Sequence, residues 1–221
     1  NTNDEWKKKN LDEIKKMPGI VDAFPVKGND DVRQLLDGVA IVGSNTHSVF
    51  QAKDRLEIEW DEGQASKDSW TQMVKRANEL KGNQGSETVI DKGDVEQEFS
   101  NTENRVLESF YEYPFVAHFC MEPMNCTADY RASSAGEDQL ELWLPTQNGP
   151  RVQEMVKQRY GLSQEAVKIH MKRMGGSFGR RTSQEYVIEA IELSKRSGRP
   201  VKLTWSREDS MRYDFLREGG F

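Results

Sequence analysis

The sequence has few cysteines, no long apolar run and no excess of positive charge. Only 2 of its 221 residues are cysteine, which is too few for a disulfide framework. No apolar run approaches the ~20 residues that a membrane-spanning helix needs, and residues 1–16 lack the apolar core of a secretory signal. The formal net charge of -6 argues against broad nucleic-acid binding, because phosphate recognition normally needs a clustered basic surface. We therefore predict a globular chain with no nucleic-acid partner and no spanning segment. Its compartment, cytoplasmic or periplasmic, stays open.

The two cysteines, Cys120 and Cys126, do not have the spacing of a metal site. Five residues separate them, whereas the paired ligands of a zinc site are typically separated by about two to four residues. His118 and Glu122 lie close by, so a metal cluster is one interpretation. Buried thiols on or beside a strand are the favoured one, and no iron–sulfur ligand pattern is present. The sequence therefore predicts no metal ligands.

The first sixty residues have the pattern of a small α/β module. Residues 4–16 are charged and predict a helix, and residues 20–26 predict a strand after a Pro-Gly break. Residues 39–42 form a short apolar run that predicts another strand, and Asn45 or its neighbours can cap the helix that follows. Residues 56–60 alternate apolar with acidic side chains, as a half-buried strand does. This order predicts a β-α-β unit.

The rest of the chain has a polar connector and then a second module that opens as sheet. Residues 61–104 are polar, with one helix predicted at residues 66–80. Residues 106–113 place apolar groups on both faces, which predicts a well-buried strand. Alternation and helical spacing predict further strands at 126–131, 139–144, 167–171 and 201–205, and helices at 152–160 and 183–197.

A glycine-rich segment between a predicted strand and helix is the most informative motif. Residues 175–181 read Gly-Gly-Ser-Phe-Gly-Arg-Arg, and glycines allow positive φ and close approach of amide groups to a ligand. Thr182 and Glu185 predict a capping box at the start of the next helix, and the free backbone amides at that helix end would then face the loop. Arg180 and Arg181 add charge, so the loop suits an anion. Its spacing matches neither nucleotide-binding glycine pattern, and a tight turn between packed elements is the alternative.

Two other segments carry polar side chains in apolar surroundings. Gln147 lies in a Pro-Thr-Gln-Asn-Gly-Pro loop, and its amide can donate and accept hydrogen bonds, which suits a neutral or oxo ligand atom. A solvated loop residue is the alternative. His118 and Glu122 are flanked by apolar residues, so we expect them either to line a cleft or to form a hydrogen-bonded support for the sheet.

Five strings occur in a consistent order along residues 19–217. They are GVAIVGSNTHSVFQAKDRLEIEWDEG, YEYPFVAHFCMEPMNCTADY, LELWLPTQNGP, MGGSFGRR and GRPVKLTWSREDSMRYDF. In this series the chain resembles the molybdopterin-binding large subunit of bacterial isoquinoline 1-oxidoreductase and its aldehyde dehydrogenase relatives, within the xanthine dehydrogenase and aldehyde oxidase superfamily.

The resemblance implies that the chain is an internal piece of such a subunit with an α+β fold. Residues 1–63 are then a partial hammerhead-like α/β module, and residues 64–104 are a helical and polar connector. Residues 105–221 are the first part of a molybdopterin-binding domain with a mixed sheet and packed helices. The implied activity of the parent is oxidative hydroxylation of an aldehyde or N-heterocycle, with electrons passed to a separate small [2Fe-2S] subunit.

The resemblance also assigns residues to the cofactor. It implies that Gln147 lies beside an oxo ligand of molybdenum and that the glycine loop lies against the cofactor with its backbone amides. Phe178 and Glu122 would line the substrate approach. The implied cofactor-binding set is Gln147, Gly175, Gly176, Phe178, Gly179 and Arg180.

Two departures from the family pattern limit the expected activity. Xanthine-oxidising relatives follow the glycine loop with a Lys-Glu pair, and Arg181 and Thr182 stand in that place here, so purine specificity is not implied. The catalytic glutamate of the family lies far beyond this segment, so we expect no catalytic residue in the chain and no activity from the chain alone. A stand-alone anion- or nucleotide-binding module and a non-catalytic scaffold subunit are the alternatives.

Overall fold

The computed structural model describes residues 10–29, 31, 33–60, 66–83, 85 and 87–221. The chain divides into two compact units, one formed by residues 1–60 and 117–215 and the other by residues 61–116 and 216–221. Helices and strands are mixed, which is an α+β architecture. Along the described residues the elements are α1 (Leu11–Lys15), β1 (Ile20–Val26), β2 (Gly38–Gly43), α2 (Thr46–Arg55), α3 (Trp70–Leu80), α4 (Val95–Ser100), β3 (Asn125–Arg131), β4 (Gln139–Leu144), α5 (Gly149–Tyr160), β5 (Val167–Met171), a 3-10 turn (Arg180–Thr182), α6 (Glu185–Ser197), β6 (Val201–Thr204) and α7 (Arg207–Arg212).

The main core of the first unit lies between a four-stranded sheet and two helices. The strand order is β5-β4-β3-β6, with β4 and β5 parallel and the other pairs antiparallel. The alternation in β4 buries its three leucines, and α6 packs against β3 and β6 while α5 packs against β5. Gly161 ends α5 in the left-handed conformation, at φ 71°. The predicted strands and helices of this segment are confirmed, with small shifts of their ends.

The N-terminal part of the first unit is an antiparallel pair, β1 with β2, packed on α1 and α2. Asn45 caps α2 as predicted, by accepting a hydrogen bond from the Ser48 amide at 2.9 Å. The predicted β-α-β unit is wrong, because residues 56–60 belong to no strand. Leu56 packs on the smaller hydrophobic cluster of the first unit, and the backbone amide of Glu57 donates to the Asn10 side chain. These contacts account for the alternating apolar and acidic residues without a strand. The predicted helix at residues 4–16 lies partly outside the described residues, and its described part is α1.

The second unit contains α3 and α4, of which α4 was not predicted. Trp70 stacks on Phe221 with ring centroids 5.2 Å apart. The predicted buried strand at residues 106–113 is wrong, since Leu107 is 90% exposed and Tyr113 makes only an isolated bridge to Gly220. Apolar groups on both faces indicate burial only if neighbours cover both faces, and the described residues provide no such cover there. No helix among the described residues is long and apolar enough to span a membrane.

Candidate functional site

The topology of the sheet brings the two predicted loops together. β4 and β5 are parallel neighbours, with Leu144 paired to Met171, so both chains leave the sheet at the same edge. The Gln147 loop follows β4, and the glycine loop follows β5. The carboxyl edge of parallel strands is a common place for ligand-binding loops. The structure therefore gives a physical reason for two motifs distant in sequence to share one site.

Hydrogen bonds join the two loops directly. The Ser177 hydroxyl donates to the side-chain oxygen of Gln147. The carbonyl of Arg181 accepts from the Gln147 amide at 3.2 Å and from the Thr146 hydroxyl at 3.3 Å. These contacts fix the side-chain oxygen of Gln147 toward the protein. Its side-chain nitrogen donates to no group in the part of the chain that the structure describes, so this nitrogen remains available to a ligand.

The glycine loop turns its backbone through three positive φ angles. They are 104° at Gly176, 54° at Phe178 and 97° at Gly179. The amides of Gly176 and Gly179 donate to no acceptor among the described residues, and the Phe178 side chain is 64% exposed. A non-glycine residue at positive φ costs energy and is found preferentially at functional sites. The loop thus presents free donors beside an exposed aromatic ring.

Gly175 serves a different purpose, because it allows close packing against Glu122. A Cβ added at Gly175 would lie 2.6 Å from the Glu122 Cβ. The Gly175 amide donates to the Glu122 carboxylate at 2.8 Å, and the Glu122 amide donates back to the Gly175 carbonyl at 3.0 Å. The other carboxylate oxygen of Glu122 accepts from Asn125 at 3.0 Å. Glu122 is therefore a hydrogen-bonded support of the loop, which is one of the two alternatives given by the sequence.

Both arginines after the loop point into the protein. Arg180 is 3% exposed and Arg181 is fully buried, which corrects the expectation that they add charge to the loop surface. The predicted capping box is also wrong. Gln184 is the N-cap of α6 without a side-chain hydrogen bond, and the Thr182 hydroxyl donates to the Gly179 carbonyl at 2.7 Å. The 3-10 turn holds Thr182 away from the helix start, and the Glu185 carboxylate pairs with Arg180 instead.

Arg180 is the centre of a buried charge cluster. Its guanidinium contacts the carboxylates of Asp214 at 2.9 Å and Glu185 at 2.5 Å. Burial raises the pKa of Glu185, and the nearby Arg180 cation opposes that shift. His118 also contacts Asp214, with 3.0 Å between Nδ1 and the carboxylate. The Arg180 side chain is therefore turned away from the loop surface, and its backbone amide donates to the Ser177 carbonyl at 2.9 Å.

The sequence singled out His118 but not its partner. Asp214 lies 96 residues away in the chain, in the last of the five strings that carry the resemblance, where no residue pattern pairs it with His118. Arg207 was also missed. It donates to the carbonyls of Cys120 and Met121 at 2.8 and 2.6 Å and lies 4.9 Å from the centre of the Phe119 ring.

The cysteines have the favoured arrangement, in which both are buried and free. The Cys120 thiol donates to the Ser177 carbonyl at 3.2 Å, so it packs under the glycine loop. Burial raises the pKa of the Cys120 thiol, which keeps it protonated. Phe119, the residue before it, has φ 48° and is 54% exposed.

A buried carboxyl on α6 predicts a pH-dependent stability. Burial raises the pKa of Glu189 from 4.5 to about 7, although the Trp205 indole donates to it at 2.8 Å. The folded state holds this proton more tightly than the unfolded chain, so the stabilisation is complete below about pH 4.5 and is lost as the pH rises through 7. We expect Glu189→Gln to be nearly neutral at pH 4 and to raise the free energy of unfolding by up to about 3 kcal/mol at pH 8.

Urea unfolding of both forms at the two pH values measures this effect, with Glu165→Gln at an exposed position as the control for loss of one charge. An equal difference between Glu189→Gln and the unsubstituted chain at both pH values would show that Glu189 does not titrate in this way.

Comparison with known proteins identifies a cofactor-binding family. Residues 78–219, more than half of the chain, match the molybdopterin cofactor-binding domain. The membrane-bound aldehyde dehydrogenase [pyrroloquinoline-quinone] of Gluconacetobacter polyoxogenes is 30% identical over 212 residues, which cover 93% of this chain and 26% of that protein. The isoquinoline 1-oxidoreductase subunit beta of Brevundimonas diminuta is 26% identical over 209 residues, covering 89% of this chain and 26% of that one.

Solved structures show the same fold. Quinoline 2-oxidoreductase from Pseudomonas putida 86 superposes with a TM-score of 0.61 at 17% identity, covering 90% of this chain and 29% of that chain. The aldehyde oxidoreductase of Desulfovibrio gigas gives 0.59 at 15% identity, covering 95% and 26%. The chain spans about a quarter of the length of these relatives. On the extent of the sequence match, the chain belongs to the molybdopterin cofactor-binding domain family.

Proposed function

We propose that the chain is part of the large subunit of a molybdenum hydroxylase, in which the Gln147 loop and the glycine loop hold the molybdopterin cofactor. The observation that carries this proposal is the pairing of the two loops at the carboxyl edge of β4 and β5 through Ser177 and Arg181. The parent protein hydroxylates an aldehyde or an N-heterocycle with oxygen from water, and it passes the electrons to a small [2Fe-2S] subunit. The similarity to an aldehyde dehydrogenase and to an isoquinoline oxidoreductase subunit supports this substrate range.

The residues of the site fit a large polar cofactor that carries a phosphate and a heterocycle. The amides of Gly176 and Gly179 and the side-chain nitrogen of Gln147 are unused donors on one pair of joined loops. Free backbone donors in a turn of alternating φ bind anionic and oxo atoms. When bound, the cofactor supplies the two-electron redox chemistry of the hydroxylation.

The chain itself supplies binding and orientation. The hydrogen bond from Ser177 restrains the Gln147 side chain, so its nitrogen has a set direction. Little further side-chain entropy is then lost when this nitrogen donates to the cofactor. Phe178 presents its exposed ring beside the free amides, where it can exclude water from the reacting group and line the substrate approach. With its carboxylate already engaged by protein donors, Glu122 supports the channel wall rather than contacting substrate.

The geometry gives less support to the two alternatives. An anion-binding module would use arginine side chains and the first turn of α6. Both guanidiniums are buried, however, and a carboxylate, Glu185, occupies that turn. A scaffold without cofactor gives no reason for the positive φ at Phe178, which costs energy that a plain turn avoids.

We also propose a division of the chain that follows the family architecture. Residues 1–63 correspond to a partial hammerhead-like module, residues 64–104 to a connector, and residues 105–221 to the first part of the molybdopterin-binding domain. The antiparallel pair of β1 and β2 with its two helices supports the first of these assignments.

Elemental analysis tests the proposed function. The complete parent subunit is expected to contain molybdenum and to reduce an electron-accepting dye in the presence of an aldehyde or N-heterocycle. The 221-residue chain alone is expected to contain none, since part of a pocket neither excludes water nor offsets the entropy of ordering a large ligand. A parent subunit that contains no molybdenum after expression with the cofactor would contradict the proposal.

A substitution of Gln147 separates orientation from anchoring. In the parent enzyme, Gln147→Ala removes one donor near the reacting group and leaves the glycine loop intact. We expect activity to fall by a factor on the order of 10–100, which corresponds to about 1.5–3 kcal/mol, with molybdenum content nearly unchanged. Activity per molybdenum measures this. Asn148→Ala, which removes only the cap of α5, is the control, and an equal loss in both variants would contradict the assignment of Gln147.

A further inference from the structure

Arg181 connects the segments that form the candidate site. Its side chain is fully buried, and its guanidinium donates to the Gly176 carbonyl at 3.0 Å and to the Glu122 carbonyl at 2.8 Å. A further contact of 3.0 Å joins it to the Glu122 carboxylate. Burial of a cation is expensive unless it is paired and hydrogen-bonded, so these contacts hold both segments in place.

The backbone of the same residue reaches the other loop. The Arg181 carbonyl accepts from the Gln147 amide and the Thr146 hydroxyl, at 3.2 and 3.3 Å. The glycine loop, the Gln147 loop and the Glu122 segment therefore meet at one residue. Ser177 also joins the loops, since its hydroxyl donates to Gln147 and its carbonyl accepts from the Cys120 thiol.

Glu122 completes the arrangement from the opposite side. One carboxylate oxygen receives both the Arg181 guanidinium and the Gly175 amide, at 3.0 and 2.8 Å. The Gly175 carbonyl receives the Glu122 amide at 3.0 Å. Glu122 thus holds both peptide groups that flank Gly175, one through its carboxylate and the other through its backbone amide, and the second of these groups carries the free amide of Gly176.

We propose that Arg181 is a positioning residue, which acts with Glu122 to hold the amides of the glycine loop at a fixed distance from Gln147. The proposal rests on the proposed function only in naming the cofactor as the group that these donors meet. The Arg181 side chain is turned inward, where it braces the loops.

The test uses the complete parent subunit with two substitutions, Arg181→Lys and Glu122→Gln. Lysine keeps the charge but cannot reach the Gly176 carbonyl and Glu122 together, because it lacks the planar fork of arginine. Glutamine keeps the shape of Glu122 and removes its charge. In both variants, amide hydrogen exchange in peptides covering residues 145–148 and 173–178 is expected to accelerate about tenfold or more. Molybdenum content is expected to fall several-fold.

If Arg181 and Glu122 only stabilised the fold, their substitution would accelerate amide exchange in β3, β4 and α6 as well. A positioning role instead confines the acceleration to the two loops. Arg159→Lys, which weakens a half-buried ion pair with Glu192 between α5 and α6, is the matched control. Unchanged loop exchange in both variants, or acceleration spread evenly over the sheet, would overturn the proposal. If Arg181→Lys does not fold, Glu122→Gln decides. If the unsubstituted parent contains no molybdenum, the proposed function fails while the exchange comparison still decides the role of Arg181.

Discussion

Replacement of Arg180 by methionine is expected to lower the free energy of unfolding by about 3–5 kcal/mol. The substitution leaves the carboxylates of Glu185 and Asp214 buried without their cation. It also removes the guanidinium from the faces of Trp205 and Phe215, whose ring centres lie 5.5 and 4.9 Å from it. Since a domain is typically stable by only about 5–15 kcal/mol, this single change removes a large share of the stability. Urea unfolding at pH 7 measures the loss.

The pH dependence of the loss identifies its cause. Without Arg180, the pKa of Glu185 rises further, because the cation is the main influence that opposes burial. The folded variant then takes up a proton more readily than the unfolded chain, so its deficit should shrink as the pH falls toward 4. Arg131→Met is the control, since its ion pair is 61% exposed on the arginine side and should contribute less than about 1 kcal/mol. Equal losses in both variants would contradict the buried cluster.

Gly176→Ala in the parent enzyme is expected to lower molybdenum content and activity together, each by about tenfold or more. Gly176 has φ 104°, and an added Cβ would lie 3.4 Å from the Phe178 ring. Alanine at such a φ costs about 1–3 kcal/mol, and the Cβ lies beside the free amide that the proposed function assigns to the cofactor. Elemental analysis and dye reduction on the same preparation measure both quantities.

Gly161→Ala is the matched control for this prediction. Gly161 also has positive φ, at 71°, and a Cβ there would meet nothing within 4 Å. It should therefore pay the conformational cost without affecting the site. Normal molybdenum content in Gly176→Ala, or an equal loss of molybdenum in Gly161→Ala, would mean that the glycine loop is only a turn.

The elements that sequence periodicity predicted well are those with one buried face. The leucines of β4 alternate into the core that they share with α5 and α6, and α5 ends at residue 160 as the sequence predicts. In such elements the sequence pattern alone shows which face is buried, because that face must be apolar whatever packs against it. The segment at residues 106–113 shows the limit. Its apolar groups lie on both sides, and its structure depends on neighbours that the local sequence does not specify.

Local sequence patterns predict the two motifs of the candidate site separately, but they do not show that the motifs lie side by side. The residue types of the glycine loop and of the Pro-Thr-Gln loop each suit ligand contact chemically, and the sequence leaves a tight turn and a solvated loop as their alternatives. The direction of a long side chain has no such signal. Arg180 and Arg181 are adjacent and chemically identical, yet one pairs with Asp214 and the other with Glu122. Only the three-dimensional placement of those carboxylates decides which way each arginine points.

An experimental structure of the complete subunit with bound cofactor tests the central claim most directly. The account predicts that the amides of Gly176 and Gly179 and the side-chain nitrogen of Gln147 each lie within hydrogen-bonding distance, about 2.7–3.2 Å, of a cofactor atom. It also predicts that Arg181 keeps its contacts with Glu122 in that structure. A cofactor bound elsewhere in the subunit, with both loops facing solvent or protein alone, would contradict it.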